Sequence, residues 1–381
     1  LNFSESGWWG RVLSAMKTLV LLSIVLFAGC IGTSNERPNP ISQSEKISAV
    51  LREVILQEKI PGIIAAISSS EGILAIGSEG VRKIGTRDTV TNHDLIHLGS
   101  CTKAMTALML ATLVGEGLIR WDTQLIQVLP ELKGTIHPDY HSITIWQLLT
   151  HRSRVPANAE DWWKHRNLEL KKRRLEILRE NLKAAPTIKL GAYHYSNLGY
   201  MIAGCMAEKL TGHTWESLMQ KRIFTPLDMK TAGFGPPGAF GKNEQPWGHR
   251  RSGSDWQTGQ SDNAQSLGPA GRVHCTLEDW AKFLSLQLPN QKGKLFDQKL
   301  LQKLTAPSGQ YAGGWIVVKR SWGRGIVLTH SGSNTMWYAT VWVAPKLNRS
   351  FLVATNSRDE RSHLICDQII GRLIRIDQGA D

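Results

Sequence analysis

Ser100 and Lys103 stand three residues apart at the start of an apolar stretch that predicts a helix. Positions i and i+3 share one helix face, so the Lys103 amine can reach the Ser100 hydroxyl. A serine hydroxyl is a poor nucleophile until a base removes its proton, and a buried lysine loses part of its proton affinity. The pair therefore predicts a nucleophile and its base. The same spacing is also typical of a capped helix with an exposed lysine.

A second polar segment, Tyr195-Ser196-Asn197, precedes the apolar helix expected over residues 198–210. The Tyr195 phenol can share the proton transfer, because a phenol near cations can be partly ionised. Asn197 can donate and accept hydrogen bonds, toward Lys103 and toward a substrate amide. The alternative is a buried tyrosine and a helix-capping asparagine.

The third segment, His330-Ser331-Gly332-Ser333, ends a predicted strand. Gly332 lets a substrate backbone approach closely. The backbone N–H groups of Ser333 and Ser100 can together form an oxyanion hole. His330 either steadies the proton network or binds a substrate carboxylate, and a polar hairpin with a packed histidine is the alternative.

Hydrophobic periodicity predicts the elements that must position these residues. Strands near both ends of the chain, with helices between them, indicate an α+β fold with one antiparallel sheet made by the two termini. The region 232–272 is glycine-rich and is expected to be a long loop. The predicted helices are 44–58, 101–114, 198–210 and 361–375, and the predicted strands are 63–68, 73–77, 314–319, 326–329, 337–343 and 351–355.

The composition bounds the class of protein. The 381 residues are 41% hydrophobic and 20% charged, which is enough apolar material for one large domain or two packed lobes. The net charge of +13 favours anionic surroundings, but no nucleic-acid motif accompanies it, so no nucleic-acid partner is expected. No Cys/His cluster suggests a metal, and no cofactor is expected. The four later cysteines, Cys101, Cys205, Cys275 and Cys366, are expected to be buried thiols.

The N-terminal region predicts export. Residues 16–30 combine a basic start, a short apolar run and Cys30 after Ala28-Gly29, which is typical of a lipoprotein signal. Residues 1–15 are interpreted as an upstream extension, 31–43 as a tether and 44–375 as the folded domain. The prediction is an envelope protein held at the membrane through a lipid on Cys30. An ordinary cleaved signal with a coincidental cysteine is the alternative.

These segments occur in an order that resembles the class C β-lactamase and penicillin-binding-protein superfamily. The resemblance extends over about residues 44–375 and includes Leu148-Leu149-Thr150-His151-Arg152-Ser153, Ala270-Gly271 and the stretch 277–283. It implies a β-lactamase/transpeptidase-like fold, with an α/β lobe around the antiparallel sheet and an all-helical lobe. It also implies an acyl-enzyme on Ser100, with Lys103 and Tyr195 as the base pair and Asn197 as the substrate and lysine anchor. The strand carrying His330, Ser331, Gly332 and Ser333 then aligns the substrate.

Four positions depart from the family pattern. His330 stands where efficient β-lactamases have lysine, Arg154 and Arg272 stand where glycine is usual, and Leu190 replaces a proline. We therefore expect poor β-lactam hydrolysis. The sequence leaves two functions open. One is a serine hydrolase acting on a small-molecule, peptide or ester substrate, of the D,D-peptidase, D-amino-acid peptidase or esterase type. The other is a catalytically weak protein that binds penicillin or wall fragments. The oligomeric state is left open.

Overall fold

The computed structural model describes residues 41–289 and 296–380. The expected signal, Cys30 and the tether up to residue 40 lie outside these residues and stay predictions. The strands are β1 (Gly62–Ser69), β2 (Gly72–Gly80), β3 (Ile96–His97), β4 (Gly233–Phe234), β5 (Gly248–Ser252), β6 (Asp255–Gly259), β7 (Val273–Cys275), β8 (Ile316–Arg320), β9 (Gly325–Ser333), β10 (Tyr338–Ala344), β11 (Arg349–Thr355) and β12 (Ser357–Arg358). The α-helices are α1 (Gln43–Glu58), α2 (Thr102–Gly115), α3 (Leu125–Val128), α4 (Ile145–Leu149), α5 (Leu170–Asn181), α6 (Asn197–Thr211), α7 (Trp215–Met219), α8 (Gly268–Gly271), α9 (Leu277–Leu284), α10 (Gln298–Thr305) and α11 (Ser362–Asp377).

The main sheet has six strands in the order β2-β1-β11-β10-β9-β8, and every neighbouring pair is antiparallel. The two N-terminal strands therefore pair with the four C-terminal ones, which confirms the prediction of one sheet made by both termini. Side chains alternate between the two faces of a strand. Ile63, Ala65 and Ile67 of β1 pack on one face in a core with α1 and α11, while Ile64 and Ala66 join the larger core that contains α2.

Helix α2 is the central element of the larger core. Eleven of its residues are buried, and they cover every face of the helix. A helix that is apolar all round must be enclosed by other elements, and α6, α7, α8 and α10 pack around α2. Lys103 is one of the buried residues, so the fold places an amine inside an apolar interior.

Region 232–272 is not one long loop, and that prediction is wrong. It contains strand β4, the antiparallel hairpin of β5 and β6, and the whole of α8. Strand β5 also pairs in parallel with β12. The reason is tertiary burial: Trp247 and His249 insert into the interior, although the glycines and charged residues around them hide any apolar periodicity.

Strand β9 is longer than predicted, because residues 330–333 continue its pairing with β10. Their polar side chains gave no strand pattern. The four cysteines of the described chain are free and buried, as expected. In the part of the chain that the structure describes, no helix combines the length and apolarity needed to cross a bilayer.

Candidate active site

Ser100 lies in a 3-10 turn, Gly99–Cys101, that leads directly into α2. Gly99 has φ +50°, a left-handed conformation that glycine adopts at little cost. Ser100 is partly exposed, whereas Lys103, one turn further on, is completely buried. The sequence spacing thus becomes a contact, with Lys103 Nζ 3.0 Å from Ser100 Oγ.

Lys103 Nζ makes two further hydrogen bonds, to Asn197 Oδ1 at 2.8 Å and to the carbonyl oxygen of Ala270 at 2.7 Å. Both of these oxygens can only accept hydrogen bonds. A neutral amine has two N–H groups and one lone pair. If Asn197 and Ala270 take the N–H groups, the lone pair faces the Ser100 hydroxyl. The geometry therefore presents Lys103 to Ser100 as a proton acceptor.

Burial favours this neutral form. Removal of Lys103 from water lowers its pKa well below the ordinary value of 10.5. A charged amine loses more hydration than a neutral one on entering an apolar interior, which is the physical cause of the shift. The contacts of Lys103 Nζ are a hydroxyl, an amide oxygen and a carbonyl oxygen, and none carries a full negative charge.

Tyr195 lies beside Lys103. Lys103 Nζ is 4.8 Å from the centre of the Tyr195 ring, and the Ser100 side chain acts to lower the pKa of the phenol, against the effect of burial. Burial raises the pKa of Tyr195 above 10. The phenol is therefore protonated at neutral pH, contrary to the partial ionisation expected from nearby cations, because desolvation outweighs any stabilisation of the phenolate.

Asn197 is the first residue of α6, and Ser196 is its N-cap, with Ser196 Oγ accepting from the Gly199 N–H at 2.8 Å. Asn197 is therefore not the capping residue. Its Oδ1 accepts from Lys103, and its Nδ2 donates to Asn158 Oδ1 at 2.8 Å. The two amide groups together fix the acceptor that orients the amine.

The end of β9 packs directly against the nucleophile turn. A methyl group on Gly332 would lie 2.5 Å from the Ser100 backbone nitrogen, and one on Gly99 would collide with the Ser333 nitrogen. The two segments can approach this closely because both contact positions are glycine. The Ser100 and Ser333 amides, the expected oxyanion donors, are thus brought to neighbouring positions.

His330 is buried and has both ring nitrogens occupied. Nδ1 is 2.7 Å from the Ser331 carbonyl oxygen, which only accepts, so Nδ1 carries the proton. Nε2 therefore accepts from the Tyr311 hydroxyl at 2.9 Å. Burial is the main cause that lowers the pKa of His330 to about 3, so the ring is neutral. This arrangement fits the first role considered for His330, a support of the polar network, better than the binding of a carboxylate. Ser331 Oγ lies 3.0 Å from Thr340 Oγ1.

Comparison with known proteins identifies the family. The family model described as Beta-lactamase matches residues 45–371.

This chain belongs to the beta-lactamase family.

Among individual proteins, Protein flp of Staphylococcus aureus (strain MW2) is 22% identical over 324 residues, which are 83% of this chain and 64% of that protein. The chain thus spans less than two thirds of the length of Protein flp. Penicillin-binding protein 4 of Amycolatopsis lactamdurans is 26% identical over 278 residues, 71% of this chain and 72% of that protein. The solved structure of D-amino acid amidase from Ochrobactrum anthropi SV3 has a TM-score of 0.72 at 19% identity, covering 89% of this chain and 99% of that one. The predicted family and its β-lactamase/transpeptidase-like fold are confirmed.

The structure also brings residues to this beta-lactamase-family site that had no predicted role there. His151 is 1% exposed and its Nδ1 accepts from the Ser196 N–H at 3.0 Å. Its ring lies 4.3 Å from that of Tyr195 and 4.5 Å from that of Tyr311. The family-like segments 148–153 and Ala270-Gly271 pointed to His151 and Ala270, although not to a role for either, whereas Tyr311 lacked any local signal.

Both family-departing arginines are paired with carboxylates. Arg154 has φ +58°, a conformation that glycine adopts more readily, and its Nη1 lies 3.0 Å from Asp139 Oδ2. Arg272 Nε lies 2.8 Å from Asp262 Oδ2. The charge of each arginine is therefore partly satisfied within the protein.

Proposed function

We propose that this chain is a serine hydrolase that forms an acyl-enzyme at Ser100 on an amide or ester substrate. The observation that carries the proposal is the environment of Lys103. Two obligate acceptors, Asn197 Oδ1 and the Ala270 oxygen, hold the amine so that its third contact is Ser100 Oγ at 3.0 Å. A protein that only binds a ligand has no need for a buried amine directed at a hydroxyl.

The proposed reaction starts with proton transfer from Ser100 Oγ to Lys103 Nζ as Oγ attacks the substrate carbonyl carbon. The negative charge on the carbonyl oxygen is stabilised by the Ser100 and Ser333 N–H groups. Tyr195, which is protonated, donates its proton to the leaving nitrogen or oxygen and regains one from the Lys103 ammonium. Water then hydrolyses the acyl-enzyme by the reverse sequence of proton transfers.

We propose further that the substrate carries no essential carboxylate next to the scissile bond. A neutral His330 stands where a lysine would supply positive charge, and its two nitrogens are already bonded within the protein. Arg154 and Arg272 are paired with Asp139 and Asp262. An uncharged amide or ester fits this site better than a penicillin, whose carboxylate would face a neutral imidazole. The similarity in fold to a D-amino acid amidase supports the amide class.

The test has two parts. Wild type, Ser100→Ala and Ser321→Ala are treated with a fluorophosphonate and weighed intact. Ser321 lies in an exposed turn and serves as the control. We expect one adduct on wild type and Ser321→Ala and none on Ser100→Ala. The absence of an adduct on wild type would refute the proposal.

The second part is a hydrolysis panel of p-nitrophenyl esters, D-amino acid p-nitroanilides, D-Ala-D-Ala peptides and nitrocefin. We expect turnover of at least one ester or amide that lacks a carboxylate, and slow turnover of nitrocefin. Faster hydrolysis of nitrocefin than of every other substrate would refute the proposed substrate class. A stable penicillin adduct without turnover of any substrate would favour the binding protein instead.

We also propose that the protein is exported and held at the cell envelope through a lipid on Cys30. The proposal rests on the sequence pattern of residues 16–30 alone. Cys30→Ser should move the protein from the membrane fraction to the soluble fraction, with Cys366→Ser as the control. An unchanged membrane fraction for Cys30→Ser would contradict it.

A further inference from the structure

A buried carboxylate lies beside the two backbone segments that supply the expected oxyanion amides. Asp262 is 6% exposed, and three side chains contact it. His97 Nε2 lies 2.9 Å from Oδ1, Asn334 Nδ2 donates to Oδ1 at 2.8 Å, and Arg272 Nε donates to Oδ2 at 2.8 Å. Each of these side chains leads to a different wall of the site.

His97 connects Asp262 to the nucleophile turn. Its Nδ1 accepts from the Gly99 N–H at 3.0 Å, so the ring proton of the neutral imidazole is on Nε2, which faces Asp262. The carboxylate therefore favours the tautomer whose other nitrogen can accept from Gly99. Gly99 directly precedes Ser100, so this bond anchors the peptide unit next to the one that carries the Ser100 amide.

Asn334 connects the same carboxylate to the end of β9. It directly follows Ser333, and its Oδ1 accepts from the backbone N–H groups of Met336 and Trp337, each at 3.2 Å. The Trp337 ring also stacks on the His97 ring, with centroids 5.9 Å apart. The His97 ring and the segment after Asn334, both in contact with Asp262, are thus also in contact with each other through Trp337.

The contact of Asp262 with Arg272 connects the carboxylate to the segment that binds Lys103. Arg272 directly follows α8, and Asn263, the neighbour of Asp262, donates from Nδ2 to the Gly271 carbonyl at 2.7 Å. Ala270, whose carbonyl accepts from Lys103, is the preceding residue. Burial by itself would raise the pKa of Asp262, but His97, Arg272 and Asn334 outweigh it and hold the pKa below the ordinary value of 3.8. The carboxylate is therefore charged at neutral pH.

We propose that Asp262 is a positioning residue that holds the Ser100 and Ser333 amides in register through His97 and Asn334. The inference rests on the proposed function of Ser100. Oxyanion donors accelerate a reaction only when they are fixed where charge develops, since reorientation during the reaction would consume their stabilisation. One carboxylate that braces both donors fixes their relative position. The same carboxylate accounts for the presence of Arg272, a departure from the family pattern, because Arg272 pairs with Asp262.

The test uses Asp262→Asn, an isosteric change that removes the charge and one strong acceptor. We expect kcat for p-nitrophenyl butyrate to fall about 10²-fold, the scale of one lost oxyanion donor, with KM changed by no more than about 3-fold. Phenylboronic acid, which forms a tetrahedral adduct with a reactive serine, should bind more weakly by a similar factor. Partial unfolding would also lower the apparent kcat at constant KM, but it would not weaken the affinity of the folded molecules for phenylboronic acid, so the boronate measurement separates the two causes.

Asp279→Asn is the matched control. Asp279 is also a buried aspartate, with a side chain 4% exposed and 2.8 Å from Lys282, and its other partners are Thr231 and Thr276. It should lower the melting temperature without changing kcat. His97→Phe keeps the stacking on Trp337 but removes the Gly99 acceptor. It should lower kcat at least about 10-fold, and combined with Asp262→Asn it should cost less than the product of the two single effects.

The outcomes separate this inference from the proposed function. Failure of wild type to react with fluorophosphonate refutes the proposed function. If wild type reacts, a folded Asp262→Asn with kcat within about 2-fold of wild type overturns the positioning role. An equal loss in Asp279→Asn, or a rise in KM with unchanged kcat, overturns it as well. If Asp262→Asn does not fold, His97→Phe decides by the same criteria.

Discussion

Replacement of Lys103 by methionine removes the amine but keeps an unbranched apolar side chain of similar length in the first turn of α2. Lys103 is 0% exposed, so the new thioether enters an interior that already surrounds the lysine stem. The change leaves two acceptors, Asn197 Oδ1 and the Ala270 oxygen, without their donor. It leaves the Ser100 hydroxyl without a base.

The expected effect on rate follows from this loss. General-base catalysis contributes about 10²- to 10⁴-fold, so acylation of Lys103→Met should fall at least about 10²-fold, or about 2.7 kcal/mol of activation free energy. Each orphaned buried acceptor costs about 1–3 kcal/mol of stability. Relief of the buried amine's desolvation offsets part of that cost, so we expect the variant to fold.

Single-turnover acylation by p-nitrophenyl butyrate between pH 6 and pH 10 measures both quantities. In wild type the rate should rise with pH through an ionisation below 10.5, because burial lowers the pKa of Lys103 and only the neutral amine accepts the Ser100 proton. Lys103→Met should be slow and should lack that ionisation. Lys209→Met, which alters a lysine side chain 48% exposed, is the control and should behave as wild type. Acylation of Lys103→Met at a near-normal rate, or with the same pH profile, would refute the assignment of Lys103 as base.

Three further predictions concern the surroundings of the site. Gly332→Ala should slow acylation at least about 10-fold and lower the melting temperature, because the added methyl would lie 2.5 Å from the Ser100 nitrogen. The control is Gly371→Ala in helix α11, whose added methyl meets nothing within 4 Å and should leave acylation unchanged. Equal behaviour of the two variants would contradict the close approach of Gly332 to Ser100. Arg174→Met should lower the free energy of unfolding in urea by about 3–5 kcal/mol, because it leaves the buried Glu208 without its partner. The control, Lys172→Met, alters an exposed side chain and should change the free energy of unfolding by no more than about 0.5 kcal/mol. A similarly small change in Arg174→Met would show that the Arg174–Glu208 ion pair is not stabilising. The folded-state pKa of His330, about 3, lies below its ordinary value of 6.5, so the unfolded state binds the additional proton and stability is lost as pH falls from 6.5 toward 3. Between pH 7 and pH 5, the free energy of unfolding of wild type should fall by about 2 kcal/mol more than that of His330→Gln. Equal losses in the two proteins would exclude a buried neutral His330.

Arg174 illustrates how far local pattern can mislead. It lies within a basic run, Lys171-Lys172-Arg173-Arg174, that indicates a solvated helix face. In the structure the Arg174 guanidinium is 0% exposed and bonds to Glu208, Glu216 and the carbonyls of residues 265 and 266. A burial of this kind depends on carboxylates from two other helices. Nothing within the run itself distinguishes Arg174 from its neighbours.

The elements with strong local signals were predictable. Helix α1, strands β1 and β2 and the C-terminal strands have apolar periods, and α2 is a continuous apolar run; both signals depend only on nearby residues. Ser100 and Lys103 could be paired from spacing because a helix places positions i and i+3 on one face. The family also followed from the order of short segments along the chain.

The sequence by itself therefore determined the family, the sheet made by the two termini, and the proximity of Ser100 to Lys103. Tertiary structure alone decided the electrostatics. It buried Lys103 between Asn197 and the Ala270 carbonyl, kept Tyr195 protonated and made His330 a neutral residue with both nitrogens occupied. The physical reason is that spacing within one helix is a local property. The pKa of a buried group, by contrast, depends on water excluded and partners supplied by distant parts of the chain.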